Sequence, residues 1–366
     1  MKKILLILSL FLVLILNVIY LVLKTPKNII PNDNSASITN NTNDYEIKIE
    51  AVDSIDQIFS DHNWVATLSA QNKVTLIATG DVGMGRSVNT RTVKYQDWKW
   101  PWLKTADYLK SADITLINLE APLIKNCPVT DEGMIFCADA SHIEGLKFAG
   151  VDIASTANNH YANYKIDGVN ESNNLLILND IISIQNAKIK PINKNGLSFV
   201  FLNYNEIGHE EDGVDWADDK TIKSQVSSAD KIADIVIVSF HWGNEYTTEI
   251  TDRQKGLAHL AIDSGADLII GNHAHWIQPL EIYKDKLIMY AHGNFIFDQM
   301  WSQETREGVV GKYTFYNKKL VDVEYSPIQI DDYGQPHFVE GEQKERMLKN
   351  LHKISHDYQT QENLVH

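Results

Sequence analysis

The sequence predicts an α/β fold, in which helices are layered against β-sheets. From residue 73 onward, short apolar runs of strand length alternate with stretches whose apolar residues recur at helical spacing, as Leu257, Leu260 and Ala261 do. Several of these runs lack the polar alternation of a half-exposed strand, which is expected when other elements cover both faces of a sheet. The predicted strands span residues 74–79, 114–118, 152–156, 198–202, 235–240, 268–270 and 287–290.

The amino terminus predicts a membrane anchor. Residues 4–23 are almost entirely apolar, with Lys2 and Lys3 before them and Lys24 after them, and about 20 such residues cross a bilayer as a helix. The run ends without an Ala-x-Ala cleavage site and without a cysteine for lipid attachment, which favours an uncleaved signal anchor over residues 1–24. Because the preceding tail is very short, we expect a single-pass cell-membrane protein whose carboxy-terminal domain is extracytoplasmic.

The rest of the chain divides into three predicted parts. Residues 25–72 form a polar stalk, rich in Asn, Ser, Thr and Pro up to about residue 44, followed by a short ordered lead-in. Residues 73–330 form the main domain, and residues 331–366 a charged carboxy-terminal tail. The two cysteines, Cys127 and Cys137, are either a disulfide suited to an oxidising exterior or two unrelated free thiols.

The charge excludes one class of partner. The formal net charge is −15, and residues 1–24 contain three lysines and no acidic residue, so the remainder of the chain is more negative still. Such a surface argues against nucleic acid as a partner. An anionic substrate would need a local cationic site, which bound metal ions would supply.

Polar residues with metal-binding side chains follow the predicted strands. In open α/β folds, the carboxyl ends of strands meet where ligands bind. Taken singly, Asp81 could cap a helix, Asn159 could hold a turn, and His241 or His292 could be buried structural histidines. Taken together, carboxylates, a carboxamide and imidazoles predict a site for Zn, Mn or Fe. The residues at the strand ends are Asp81, Asn118, Glu120, Asn159, His160, His241, Glu245, His273, His275 and His292.

Six ordered motifs resemble those of a known family. They are Gly-Asp-x-x-x-x-Arg (80–86), Asn-Leu-Glu-x-Pro (118–122), Ala-Asn-Asn-His (157–160), His-Trp-Gly-x-Glu-Tyr (241–246), Gly-x-His-x-His (271–275) and Gly-Asn-Phe (293–295). Over residues 73–326 the chain resembles the CapA family of poly-γ-glutamate capsule synthesis, within the calcineurin-like metallophosphatase superfamily. The resemblance implies a four-layer sandwich of two mixed sheets flanked by helices.

The resemblance also implies roles for individual residues. Asp81 would bind a first metal and Glu120 would bridge two metals. Asn159 and His241 would bind the second metal, and His273 and His275 would complete the two sets of ligands. His160 would act as an acid or electrostatic stabiliser, and Arg86 would clamp an anionic oxygen. Asn118, Glu245 and Trp242 are predicted to lie around the substrate, with Trp242 walling the cleft.

Two departures bear on the number of ions. Most metallophosphatases have Asp-x-His at the first motif, whereas this chain has Gly83 at the histidine position, so the site holds one or two ions. The family usually has an aspartate where this chain has Asn163. A further cluster, formed by Trp98, Trp100 and Trp102, is either a platform for a polymer or sugar, or loop packing.

Two functions are consistent with these features. The first is a membrane-anchored accessory of capsule or cell-envelope polymer synthesis or export, with metal-assisted hydrolysis or transfer at a phosphoester or amide. The second is a non-catalytic, membrane-anchored scaffold whose degenerate metal site grips polyanions. The expected partners are a membrane polymer-synthase complex and an anionic polymer or a phosphorylated envelope substrate.

Overall fold

The computed structural model describes residues 49–365, so the predicted anchor and the first half of the predicted stalk and lead-in lie outside the described residues. Within that range, no helix has the length and apolar character needed to cross a bilayer. The strands are β1 (Lys73–Val82), β2 (Ile114–Leu119), β3 (Leu123–Ile124), β4 (Ala138–Asp139), β5 (Ile153–Ser155), β6 (Ile182–Ser183), β7 (Ile192–Lys194), β8 (Leu197–Asn205), β9 (Ile235–His241), β10 (Leu268–Asn272), β11 (Leu280–Tyr283), β12 (Lys286–Met289), β13 (Asn294–Ile296), β14 (Glu307–Tyr316), β15 (Lys319–Asp331) and β16 (Gln335–Phe338). The α-helices are α1 (Ile55–Ile58), α2 (Arg86–Tyr95), α3 (Ala106–Leu109), α4 (Ile143–Ala149), α5 (Lys165–Leu178), α6 (Asp219–Asp230), α7 (Asp252–Asp263), α8 (Gln303–Arg306) and α9 (Gly341–Val365).

The strands form two large mixed sheets and one small parallel pair. The first sheet has the order β16-β15-β14-β1-β2-β5-β6, with β13 beside the end of β1. Its β1, β2, β5 and β6 run parallel, while β14, β15 and β16 are antiparallel. The second sheet has the order β11-β12-β10-β9-β8-β7, with parallel central strands and antiparallel edges. All seven strands predicted from sequence are present.

Strand β9 shows why helices and sheets alternate in layers. Ile235 and Ile237 pack in the core between the two sheets, whereas Val236 and Val238 face a second core on the outer side, against α6 and α7. A third core lies on the outer face of the first sheet, under α3, α4 and α5. Successive strand residues point to opposite faces, so a strand buried on both sides needs apolar residues at every position. The predicted α/β architecture, with mixed sheets flanked by helices, is confirmed.

Residues on both sides of the predicted main domain belong to the same compact unit, which spans Ile49–His366. On the amino-terminal side, Val52 donates its backbone N–H to the Leu320 carbonyl over 2.9 Å, and Ile55 and Ile58 are buried in the core between the sheets. The predicted boundaries at residues 72/73 and 330/331 therefore fall inside one packed body.

The predicted carboxy-terminal tail contains β16 and the long helix α9. Although α9 is rich in charged residues, Met347 and Leu351 lie four residues apart and are both buried, which is the spacing of one helical face. Ser355 continues this face, and its hydroxyl accepts the backbone N–H of Leu280 in β11 over 2.9 Å. The helix is thus part of the folded domain.

Replacing Leu351 with alanine is expected to lower the free energy of unfolding by about 2–5 kcal/mol, because it removes buried methyl groups from the core between the sheets. Leu351 is 1% exposed, whereas Leu364 on the same helix is 82% exposed. Leu364→Ala is therefore the matched control and should change stability by less than about 0.5 kcal/mol. Urea denaturation of both variants measures the difference, and equal stabilities would show that α9 does not contribute to the core.

Candidate metal centre

The two sheets bring the carboxyl ends of their parallel strands to one cleft. Asp81 lies near the end of β1, and His241 is the last residue of β9 in the other sheet. The close approach of β13 fixes the end of β1: Asp81 donates its backbone N–H to the Gly293 carbonyl over 3.0 Å. A Cβ at Gly80 would lie 2.1 Å from that carbonyl oxygen, so only glycine fits there. The backbone thus positions the Asp81 carboxylate at the cleft.

One group of buried ligand-type side chains consists of Asp81, Glu120 and His275. Their ligand atoms all lie within 4.8 Å of one another. His275 Nδ1 is 3.2 Å from Asp81 Oδ2, and His275 Nε2 is 4.0 Å from Glu120 Oε1. Two carboxylates and an imidazole at this spacing can hold a divalent cation.

A second group lies on the other side of Glu120. His241 Nε2 is 2.9 Å from Asn159 Oδ1, 3.1 Å from His273 Nδ1 and 4.0 Å from Glu120 Oε1. Glu120 is therefore close to both groups, as the predicted bridging role requires. The structure brings together all six predicted metal ligands.

The electrostatics of these residues fit a cation. Burial lowers the pKa of His241 well below its ordinary value and that of His273 to about 3, so both imidazoles are neutral at pH 7 and have a lone pair to offer. Burial and the nearby Asp81 charge raise the pKa of Glu120 well above its usual range. Neither Glu120 oxygen has a hydrogen-bond donor among the described residues. An unpaired buried carboxylate is costly, and a bound divalent ion would offset this cost.

The His-x-His loop has an unusual backbone. His273 has φ +96° and His275 has φ +56°, a region that non-glycine residues rarely adopt. Two hydrogen bonds hold the loop: the His273 N–H lies 3.3 Å from Asp81 Oδ2, and the Tyr246 N–H donates to the Ala274 carbonyl over 2.8 Å. Backbone strain of this kind is typical of functional sites, where surrounding contacts maintain it.

Asn118 orients the Asp81 carboxylate. Its Nδ2 donates to Asp81 Oδ1 over 2.8 Å, and its Oδ1 accepts from Asn158 Nδ2 over 3.2 Å. Asn118 is 3% exposed, so its side chain orients Asp81 rather than facing the substrate as predicted. Sequence reasoning did not assign a role to Asn158, whose Nδ2 also donates to the Leu119 carbonyl over 2.9 Å.

His160 lies under a loop closed by a disulfide. The structure contains the Cys127–Cys137 disulfide, which decides between the two alternatives for these cysteines. The loop places the Phe136 ring 4.3 Å from the His160 ring, between centroids. Phe136 donates its backbone N–H to Asn163 Oδ1 over 3.0 Å. Nothing in the local sequence pattern indicated this contact.

The hydrogen bonds of Asn163 define the tautomer of His160. Asn163 Oδ1 is an acceptor for the Phe136 N–H, and His160 Nδ1 lies 3.1 Å from the same oxygen, so Nδ1 carries the proton. Burial lowers the pKa of His160 to about 4, which leaves Nε2 unprotonated at pH 7. In this state Nε2 has a free lone pair. The predicted role as an acid would need a second proton, which burial disfavours.

Arg86 is not free to clamp an anion as predicted. Its Nη2 is 2.6 Å from Asp298 Oδ1, and its Nε is 3.1 Å from Asp298 Oδ2, so one carboxylate occupies the bidentate edge of the guanidinium. Asp298 also accepts the Ser87 N–H over 3.2 Å. No pattern in the sequence indicated this pair, whose members are more than two hundred positions apart.

The tryptophans belong to the core more than to the cleft. Trp242 is fully buried, stacks on Phe240 with 4.4 Å between ring centroids, and donates Nε1 to the Tyr290 carbonyl over 2.9 Å. This corrects its predicted place at the substrate. Trp102 is also buried, and Trp98 stacks edge-on against His142 at 5.1 Å, which favours loop packing for the tryptophan cluster.

Two other residues that the sequence indicated, His292 and Glu245, differ in their exposure and contacts. His292 is buried and its Nε2 is 2.9 Å from the Tyr313 hydroxyl, so it matches the structural alternative. Glu245 is about one third exposed, and its Oε1 lies 3.9 Å from His275 Nε2. Glu245 therefore borders the open side of the first group.

The chain is similar to several known proteins. A phosphatase of Mycoplasma pneumoniae of known structure aligns with 72% of this chain and 95% of its own at 17% identity, with a TM-score of 0.47, too low to transfer anything to this chain. The PGA biosynthesis protein CapA of Bacillus subtilis is 31% identical over 271 residues, 69% of this chain and 70% of that protein. The capsule biosynthesis protein CapA of Bacillus anthracis is 28% identical over 303 residues, 77% and 73% of the two chains. The model of the bacterial capsule synthesis protein family, PGA_cap, matches residues 75–299. The chain belongs to this family.

Proposed function

We propose that this chain is a membrane-anchored accessory protein of capsule or cell-envelope polymer synthesis or export, and that its cleft performs metal-assisted hydrolysis or transfer. Two relatives are named for PGA and capsule biosynthesis. The apolar run at residues 4–23 supports the anchor. The Cys127–Cys137 disulfide supports an extracytoplasmic location, since disulfides persist in oxidising compartments.

The proposal of metal-assisted chemistry rests on the environment of Glu120. Its two buried oxygens have no donor among residues 49–365, and imidazole or carboxylate ligands surround it in both sheets. A folded protein tolerates such a group when a cation binds it. The mixed oxygen and nitrogen donors suit Mn, Zn or Fe, in one or two ions.

The ligands would then form two groups, one for each ion. Asp81, Glu120 and His275 would hold one ion, and Asn159, His241 and His273, with Glu120, would hold the other. Bound divalent ions of this type polarise a phosphoryl or carbonyl oxygen and generate a nucleophile from water near neutral pH. His160 Nε2 would accept a proton, while Asn163 fixes the orientation of its ring. Phe136, whose ring lies against that of His160, would exclude water from that side.

The substrate class follows from charge and from the relatives. With a formal net charge of −15, the chain would attract a polyanion only where cations offset its own carboxylates. An anionic polymer such as poly-γ-glutamate, or a phosphorylated envelope intermediate, is the proposed substrate. A membrane polymer-synthase complex is the proposed partner.

Full-length protein loaded with Mn or Zn and then dialysed is expected to retain metal and to cleave a generic phosphodiester. In His273→Ala, both retention and cleavage should fall, because the variant removes a neutral imidazole from the second group. His356→Ala is the matched control, since His356 is exposed on α9. Elemental analysis and initial rates test this, and the absence of retained metal in the unmodified protein would contradict the proposal.

A second function is a non-catalytic scaffold that grips polyanions. The engagement of Arg86 by Asp298 favours it, because the cleft then lacks a free guanidinium to stabilise a transition state. Complementation of a deletion strain distinguishes the two functions. Wild-type capsule with His241→Ala would support the scaffold, whereas loss of capsule with normal levels of the variant protein would support catalysis.

A further inference from the structure

The first group lacks the imidazole that most metallophosphatases supply, and Phe297 packs against the position from which that imidazole would extend. A Cβ at Gly83 would lie 2.4 Å from Phe297 Cε2, so the Phe297 ring fills that side of the site. The same ring packs against His275, with 4.6 Å between centroids. Any further ligand for the first ion must therefore come from another direction.

The hydrogen bonds of Asn294 identify the metal-binding atom of His275. Both N–H groups of Asn294 are used, one by Gln299 Oε1 at 3.0 Å and one by the Thr305 carbonyl at 2.9 Å. Asn294 Oδ1 therefore accepts, and it lies 2.8 Å from His275 Nδ1, which must carry the proton. The free lone pair of His275 is on Nε2.

Two carboxylate oxygens lie beside this lone pair. Glu120 Oε1 is 4.0 Å and Glu245 Oε1 is 3.9 Å from His275 Nε2. Since ligand atoms lie about 2.0–2.2 Å from such an ion, two ligands of the same ion are separated by at most about 4.4 Å. Each oxygen meets this limit relative to His275 Nε2. Glu245 lies outside the group in which ligand atoms of Asp81, Glu120 and His275 come within 4.8 Å of one another, so its partly exposed side chain would turn toward that group on binding the ion.

The backbone holds Glu245 at this position. The next residue, Tyr246, has φ +60° and donates its N–H to the Ala274 carbonyl at 2.8 Å, in the middle of the His-x-His loop. The Tyr246 hydroxyl accepts from Gln299 Nε2 over 3.1 Å, which joins it to the Asn294 network. The turn that carries Glu245 is thus tied to the segment that carries His275.

The charge balance also favours a cation at this place. The negative charges of Asp81 and Glu245 both act on Glu120, and this repulsion is unfavourable without a positive charge between them. The nearby guanidinium of Arg86 is already paired with Asp298. Glu120 is fully buried with both oxygens unpaired, which independently marks the point where a cation would lie.

We propose that Glu245 is a ligand of the first metal ion and supplies the donor that Gly83 cannot. The proposal rests on the metal site of the proposed function. It replaces the predicted contact between Glu245 and substrate, and it makes the first ion accessible from solvent on the Glu245 side, which is about one third exposed.

Metal content and affinity test the proposal without any activity assay. Full-length protein and its variants are loaded with Mn, dialysed and analysed for bound metal, and a chelator competition gives the affinity of each ion. The unmodified protein should retain two ions. Glu245→Ala should retain one, or bind its weaker ion more than about 100-fold less tightly, beyond the loss of about 10–100-fold that is typical of residues that only support a ligand.

The controls separate the possible failures. Glu249→Ala removes the same charge from an exposed position on the same loop and should retain both ions. Glu245→Gln keeps the shape of the side chain but removes its charge, so it should still lower the affinity for the first ion. Two ions of unchanged affinity in Glu245→Ala would overturn this inference and leave the proposed function intact. No metal in the unmodified protein would overturn the proposed function itself.

Discussion

Replacing Asp81 with asparagine is expected to lower metal affinity by more than about 100-fold, and to lower metal-dependent phosphodiester cleavage with it. Loss of a residue that only supports a ligand already reduces affinity by about 10–100-fold, and Asp81 is placed as a ligand itself. The substitution keeps the size of the side chain and leaves an oxygen to accept from Asn118, now 2.8 Å away. It removes the negative charge.

Elemental analysis and initial rates at increasing metal concentration measure the effect. Asp180→Asn makes the same chemical change at an exposed residue that follows α5 and should alter neither quantity. Because the variant preserves the Asn118 contact, its thermal stability should stay close to that of the unmodified protein. Unchanged metal affinity in Asp81→Asn would place the ions elsewhere, or would show that the cleft does not bind them.

The positions of the metal-type residues could be predicted because they depend on a local rule. A strand of alternating or continuous apolar residues ends, and the next residues are turned toward the cleft. Asp81, Glu120, His241 and the two histidines of the His-x-His loop all follow this rule, and the structure brings them together. The mixed sheets follow from the same strands.

The contacts that modify the site could not be predicted in this way. Arg86 meets Asp298, and Gly83 meets the ring of Phe297, across more than two hundred residues of chain. Phe136 reaches His160 only because the disulfide closes its loop. Such pairings depend on how the sheets and loops pack, and no periodic pattern in one chain specifies them.

The buried position of Trp242 was predictable from the apolar alternation of β9, although Trp242 also belongs to the His-Trp-Gly-x-Glu-Tyr motif at the cleft. Val236, Val238, Phe240 and Trp242 alternate along β9 and just beyond it, and all four pack in the outer core. A period of two places them on one face of the sheet. The neighbouring His241 lies at the cleft, whereas the alternation places the Trp242 indole on the opposite face of the sheet, in the outer core.

Trp242→Ala is accordingly expected to lower the free energy of unfolding by about 3–5 kcal/mol. It removes a fully buried ring that stacks on Phe240, and it leaves the Tyr290 carbonyl without its donor. Trp301→Ala, at a residue that is 64% exposed beside Tyr246, should leave stability almost unchanged. Urea denaturation separates the two variants.

Trp242→Phe refines this expectation. It retains an aromatic ring against Phe240 but cannot donate to the Tyr290 carbonyl, so it should destabilise the fold by about 1–3 kcal/mol, the cost of an unsatisfied buried acceptor. The order Trp242→Ala, then Trp242→Phe, then Trp301→Ala, from most to least destabilising, is what a core position requires. A Trp242→Ala variant with full stability and weakened polymer binding would instead return this residue to the cleft, because only a side chain that contacts the substrate produces that combination.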